Sequence, residues 1–260
     1  MRNVLVLADK EFKGLMRMPL GYVVLSVYAL VSGMVLMTMI NIFDHQLARV
    51  TQQASQVTST KVIIDVQVVV VTPYLLNVAA LLIFIIPFIT MRVFAEEKRS
   101  RSLEILVSYP LRVWEIVAGK FLGIFGFFGL MLSISAVHLV ILQFISAPHW
   151  GPIIGGFGGL ILLGMTLIVI GLFVSSLTQG QVEAAVLTLG LFMIMVMAGE
   201  VAGGRSSLVQ RGLSLISPLY HFQDFGRGVL AVQNLCYFIS ASLLFFALTM
   251  RGVDLLKWRG

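Results

Sequence analysis

Six apolar runs of about 20 residues each dominate this chain, and that length is what crossing roughly 30 Å of hydrocarbon requires. They lie near Gly21–Phe43, Pro73–Phe94, Val117–Phe144, Ile153–Leu177, Val182–Ala198 and Gln233–Met250. A backbone in lipid must satisfy its own hydrogen bonds, so runs of this kind fold as helices. Of 260 residues, 58% are hydrophobic and 12% charged, where a soluble domain carries roughly 25% charged residues. A soluble core could not hide so much apolar surface, and the natural solvent is the lipid bilayer. The sequence predicts an all-α membrane protein, one domain over residues 1–260 with six transmembrane helices and short loops. The first twenty residues are broken by charges throughout and do not read as a cleavable signal. The single cysteine, Cys236, offers no internal disulfide and no cysteine metal cluster.

Charge placement sets the orientation. With both termini inside, the inner segments hold thirteen Lys and Arg residues, among them Arg2, Lys10, Lys98, Arg112 and Lys257, against five outside. Basic residues gather on the cytoplasmic side of membrane proteins, so the expectation is a multi-pass protein of the cell inner membrane with cytoplasmic termini. The net charge of +6 belongs to that bias and does not call for nucleic acid.

Residues 1–18 carry Leu5, Ala8, Phe12 and Leu15 at helical spacing, with Asp9, Lys10, Lys13 and Arg17 opposite. The pattern predicts an amphipathic interfacial helix, stopped by Pro19. The first outer loop, beginning at Asp44, is polar and reads as a partly structured surface loop. The outer segment 199–232 is too apolar for a plain loop and too interrupted for a span, which predicts short re-entrant helices packed against protein. Pro87 predicts a bend in the second span. Gly119-x-x-x-Gly123, Gly155-x-x-x-Gly159 and Gly199-x-x-x-Gly203 let helices approach closely.

Motifs for catalysis are missing. The four histidines are scattered, no H-E-x-x-H or G-x-S-x-G occurs, and Gly119-Lys120 stands outside any phosphate-binding loop pattern. No cofactor is expected in this chain. An intramembrane enzyme would need convergent acids or a nucleophile–base pair, and neither is present. Charged residues inside spans mark ion pathways, yet Glu183 and Glu200 bracket span five instead of lining it. Glu200 reads as a boundary anchor or an outer-mouth residue, and His138 in span three as a neutral, hydrogen-bonded packing residue.

One connection stands apart. "FAEEKRSRSLEILVSYPLRVWEIVAGKFLG", residues 94–123, holds nine charged side chains between two greasy runs. Leu103, Leu106 and Val107 follow helical spacing, Glu97 and Arg101 sit at i,i+4, and Pro110 stops the segment. A solvated loop explains the basic residues but not the interleaved acids or the apolar ridge. A short docking helix over 95–112 explains both.

These residues resemble the segment between spans two and three of ABC-2-type ABC transporter permeases: Glu96-Glu97, Lys98-Arg99, Ser102-Leu103-Glu104-Ile105-Leu106, Pro110 and Gly119-Lys120. Arg101-Ser102 stands where that family more often has Gly-Thr. "SPLYHFQDFGRGVL" at 217–230, containing Pro218, His221, Asp224 and Arg227, is similar to the end of the gliding-motility-type subgroup, with Asn234 replacing an acid usual before the last span. The resemblance implies an ABC-2 permease fold, dimerisation with an identical or different permease subunit, and a separate ABC ATP-binding subunit that binds the ATP and Mg. It implies an exporter in which Glu96, Glu97, Arg101, Leu103, Glu104 and Leu106 contact the ATPase. The alternative is a non-transporting membrane component coupling the same ATPase to envelope assembly or mechanical signalling.

Overall fold

The computed structural model describes residues 2–54, 65–99, 112–146, 150–201, 212 and 215–257. The described chain is helical and contains no strand. Its helices are α1 (Arg2–Arg17), α2 (Pro19–Ala54), α3 (Thr72–Thr90), α4 (Arg92–Arg99), α5 (Val113–Ser146), α6 (Trp150–Leu177), α7 (Gln181–Val201), α8 (Pro218–Gly226) and α9 (Val232–Lys257). A π-helical turn, Gln67–Val71, leads into α3. Six helical stretches are long and apolar enough to cross a membrane: Pro19–Gln52, Gln67–Arg99, Val113–Phe144, Trp150–Leu177, Gln181–Glu200 and Val232–Leu255. They cover the six expected runs and overshoot their ends. The overshoot is greatest in α2, where helix continues from Asp44 to Ala54 through residues expected in the loop. Nothing in "DHQLARVTQQA" breaks a helix: it holds no Gly or Pro. An even number of crossings brings the chain back to the side on which it started, called here the basic end.

The bundle is built around α6. Of its most apolar window 72% is buried, against 17% for α2 and 28% for α7 and α9. Glycines open α6 to its neighbours: the Phe128 ring of α5 occupies the space beside Gly164 and Thr90 of α3 the space beside Gly171. Side chains of α2, such as Leu30, Met34 and Met37, face outward into what must be an apolar medium.

Met91 marks a one-residue interruption between two helices of the second crossing, its backbone still helical at φ −54° and ψ −32°. Helix α3 runs through Pro87 to Thr90, Met91 forms a single-residue turn, and α4 resumes at Arg92. A hydroxyl from α6 binds the backbone around this turn. Ser175 Oγ of α6 accepts the N–H groups of Phe94 (3.2 Å) and Ala95 (3.3 Å) and donates to Met91 O (3.1 Å). Thr90 Oγ1 donates to Ile86 O (3.0 Å) within the same turn.

Helix α1 is held by protein along a stripe rotated from the expected one. Val4, Leu7 and Leu15 are buried, whereas Leu5 is 65% exposed. The rotation follows from the partner: α1 packs on the glycine face of α5. Leu7 lies over Gly119, Ala8 and Glu11 over Gly123, and Phe12 over Gly126. The two contact series advance together, so α1 and α5 run in the same direction over about two turns. A Cβ on Gly123 would come within 2.8 Å of the Ala8 carbonyl. That is backbone against side chain, with no flexible atom to yield.

Two outcomes check this packing. Gly123→Leu is expected to release α1, seen as faster protease cleavage between α1 and α2 with the six crossings retained. Ser175→Ala strips the acceptor from two buried N–H groups and should cost about 1–3 kcal/mol, read as a lower midpoint of thermal unfolding in detergent.

Candidate functional site

At the basic end, one buried lysine gathers three helices. Lys120, in the second turn of α5, has no exposed surface, yet its Nζ lies 2.8 Å from Glu11 Oε1 of α1 and 2.8 Å from Glu97 Oε2 of α4. The ammonium also donates to the Val93 carbonyl (3.0 Å), and the Phe94 ring centroid is 5.2 Å away. Two of the ammonium's donors hydrogen-bond, to Glu11 Oε1 and Val93 O, while Glu97 Oε2 lies within ion-pair distance without hydrogen-bond alignment. The geometry depends on the glycines on either side: Gly119 and Gly123 admit α1 closely enough for Glu11 to reach a residue 109 positions away. Breaking a buried charge pair by removing one member costs about 3–5 kcal/mol, because the other is left buried and uncompensated.

Helix α4 is fixed at a second point. Lys98 Nζ donates to the carbonyls of Ser176 and of Thr178 (3.2 Å) at the C-terminal end of α6. Positive charge is favoured there, where helix carbonyls lack partners. Arg92 binds Glu96 through two hydrogen bonds, Nε to Oε2 at 2.9 Å and Nη2 to Oε1 at 3.2 Å. The helix entering the charged connection is therefore tied to α1, α5 and α6.

At the opposite end, α8 starts at Pro218 with Ser217 as its cap, the Ser217 Oγ accepting from Tyr220 N (3.3 Å). The glycine face of α6 seats this helix. Gly159 leaves room for Phe225, and Gly155 lies against Gly228, whose φ of +80° turns the chain back towards α9. His221 is buried and stacks on Tyr237, with ring centroids 4.0 Å apart. Its Nδ1 is 2.7 Å from Asn234 Oδ1, and Asn234 Nδ2 donates to Asp224 Oδ2 at 2.8 Å. One amide thus ties α9 to both His221 and Asp224 of α8.

Between the two ends lies a polar latch inside the apolar bundle. His138 Nδ1 of α5 is 3.1 Å from the Tyr74 hydroxyl of α3 and 3.5 Å from Ser32 Oγ of α2. Beside it, the hydroxyls of Tyr28 and Ser135 are hydrogen-bonded. His138 is hydrogen-bonded, and it joins three crossings. Among the described residues, no group of three or more His, Cys, Asp or Glu is placed to hold a metal ion.

A family model, the ABC-2 family transporter protein, matches residues 5–253. The chain belongs to the ABC-2 transporter family. No curated protein matches it. An ABC-2 protein of this kind is the membrane-spanning permease subunit of an ABC transporter, in a family that typically lacks its own ATPase and works with an ABC ATP-binding subunit.

Within this ABC-2 permease, the residues expected to contact the ATPase divide. Arg101, Leu103, Glu104 and Leu106 lie outside the described residues. Glu96 is bonded to Arg92 and its side chain is 41% exposed. Glu97, expected to face a partner, turns inward to Lys120 and its side chain is only 17% exposed. The reason is the lysine itself, whose buried charge needs a second carboxylate. At the far end Pro218 and His221 are buried, Asp224 is half-buried, and Arg227 and Glu200 are exposed. Sequence reasoning missed Lys120, Ser175 and Asn234 as junction residues. The available signals were a lysine set inside an apolar run and a polar residue on a buried helix face. Their partners lie 80 to 109 positions away for Ser175 and for Lys120 with Glu11, beyond the reach of any local pattern.

Lys120→Met in the full chain is expected to lower stability by about 3–5 kcal/mol, since Glu11 and Glu97 are then left as neighbouring like charges. Adding Glu11→Gln and Glu97→Gln should recover most of the loss. Thermal unfolding of the single and triple variants side by side checks the sign of that coupling.

Proposed function

We propose that this chain is the permease subunit of an ABC exporter, placed in the cell inner membrane with both termini cytoplasmic and working beside a second permease subunit. ATP and Mg are bound by a separate ATP-binding subunit, which grips the connection 95–112. The observation that carries this reading is the junction at Lys120. It joins α4 and α5, the helices on either side of that connection, to each other and to α1. A push on the connection is then delivered to two crossings and the N-terminal helix as one body, while Lys98 passes it to α6. The thirteen-to-five excess of basic residues at this end supports its being cytoplasmic. The segment 217–230 supports the gliding-motility-type subgroup, and its α8 is one of the short re-entrant helices before the last span by the same reading. Asp224 stands in for the acid that Asn234 replaces, since Asn234 binds it directly. Outward transport follows family analogy.

The test is co-purification of the ATP-binding subunit with the full-length permease. Leu103→Asp combined with Leu106→Asp should reduce recovery of that subunit about tenfold or more. Lys120→Met should leave recovery within about twofold while lowering the stimulation of ATP hydrolysis by the membrane subunit. Undiminished recovery in the first variant would falsify the placement of the ATPase contact.

A further inference from the structure

Beside the Lys120 junction, between α1, the α3–α4 turn and α5, lies an open cavity of about 250 Å³. Its lining is mixed. Leu15, Ile89 and other apolar side chains line it together with Lys10, Arg92, Glu11, Glu96 and Glu97. Gly14 of α1 also lines it, and a Cβ there would meet nothing within 4 Å. Glycine within a helix costs stability relative to alanine, and here no packing neighbour requires it. Its missing side chain leaves that side of the cavity open.

We propose that this cavity binds the headgroup of an aminophospholipid from the leaflet at the basic end. At roughly 30 Å³ for a water-sized group, the space holds about eight non-hydrogen atoms, the size of a phosphoethanolamine. The lining offers both signs of charge. Lys10 makes no ion pair among the described residues, and Arg92 spends Nε and Nη2 on Glu96, leaving Nη1. These two cations take the phosphate. The ammonium takes Glu11 Oε2, which is left over from the bond of Oε1 to Lys120, and the remaining lone pairs of Glu96. The acyl chains leave past the apolar side chains into the membrane. A primary ammonium donates three hydrogen bonds to those carboxylates; a trimethylated headgroup donates none, and an uncharged glycerol headgroup brings no cation. The site therefore selects ethanolamine over choline and glycerol.

The test uses the full chain in detergent, carrying Cys236→Ala and Gly14→Cys, with labelling of the introduced thiol by a water-soluble maleimide as the readout. Mixed micelles containing phosphatidylethanolamine are expected to slow labelling about tenfold, and those with phosphatidylcholine or phosphatidylglycerol less than about twofold. Lys10→Glu, on an exposed side chain, should abolish most of the protection. In the otherwise unaltered chain, Gly14→Leu fills open space and should remove one retained phosphatidylethanolamine per chain by native mass spectrometry. Equal protection by all three lipids, or protection unaffected by Lys10→Glu, overturns the proposal. So does equal protection by soluble glycerophosphoethanolamine, which makes the ligand a free phosphoester. Protection seen only when the ATP-binding subunit is added assigns the cavity to a protein contact and equally ends the lipid assignment. No outcome touches the family membership, which rests on the match over residues 5–253.

Discussion

An ammonium group withdrawn wholly from solvent must be matched by acceptors that the fold brings to it, and much of the basic end follows from that demand at Lys120. Two carboxylates and one carbonyl answer it, each from a different place in the chain: Glu11 on α1, Glu97 and Val93 on the helical continuation of the second crossing. Because each partner is needed, the position of α1 and the direction of α4 are set by the same charge. Apolar packing alone would tolerate sliding between these helices. A buried charge with two directed hydrogen bonds and a second carboxylate beside it does not.

The glycine faces make such meetings possible. On α5 they admit α1, and on α6 they admit α8 at one end and Thr90 of the second crossing at the other. The two short helices that do not cross the bundle are thus both seated in glycine grooves of the same chain. Glycine spacing in membrane helices is often associated with pairing between chains; here the described grooves are filled from within. Hydroxyls and amides then lock what the grooves admit: Ser175 at the α3–α4 turn, Asn234 beneath α8, and the Tyr74–His138 contact between them.

How far the sequence told this in advance depends on the range of the interaction. Crossings are properties of single runs of about 20 residues, and they were legible, as was the amphipathic character of residues 2–17. Which side of α1 is buried was not, because Leu5 and Leu7 are equally apolar and only the groove on α5 distinguishes them. Pro87 lies inside α3 without ending it, and the hydroxyl bound to Met91 just beyond comes from another helix. The connection 95–112 drew attention through its charge. Yet Glu97 looked like a surface acid until its lysine partner, 23 residues on, was seen to be buried.

The seat of α1 also has a consequence for the order in which the molecule is assembled. The first helix is synthesised about a hundred residues before Gly119 and Gly123. Until then Glu11 has no counter-ion and Leu7 no groove, and the helix must rest wherever its amphipathic shape allows, which is the bilayer surface. Completion of the third crossing converts that waiting segment into part of the bundle. Helix α1 is thus made before the crossing that seats it and is among the last elements to find its place.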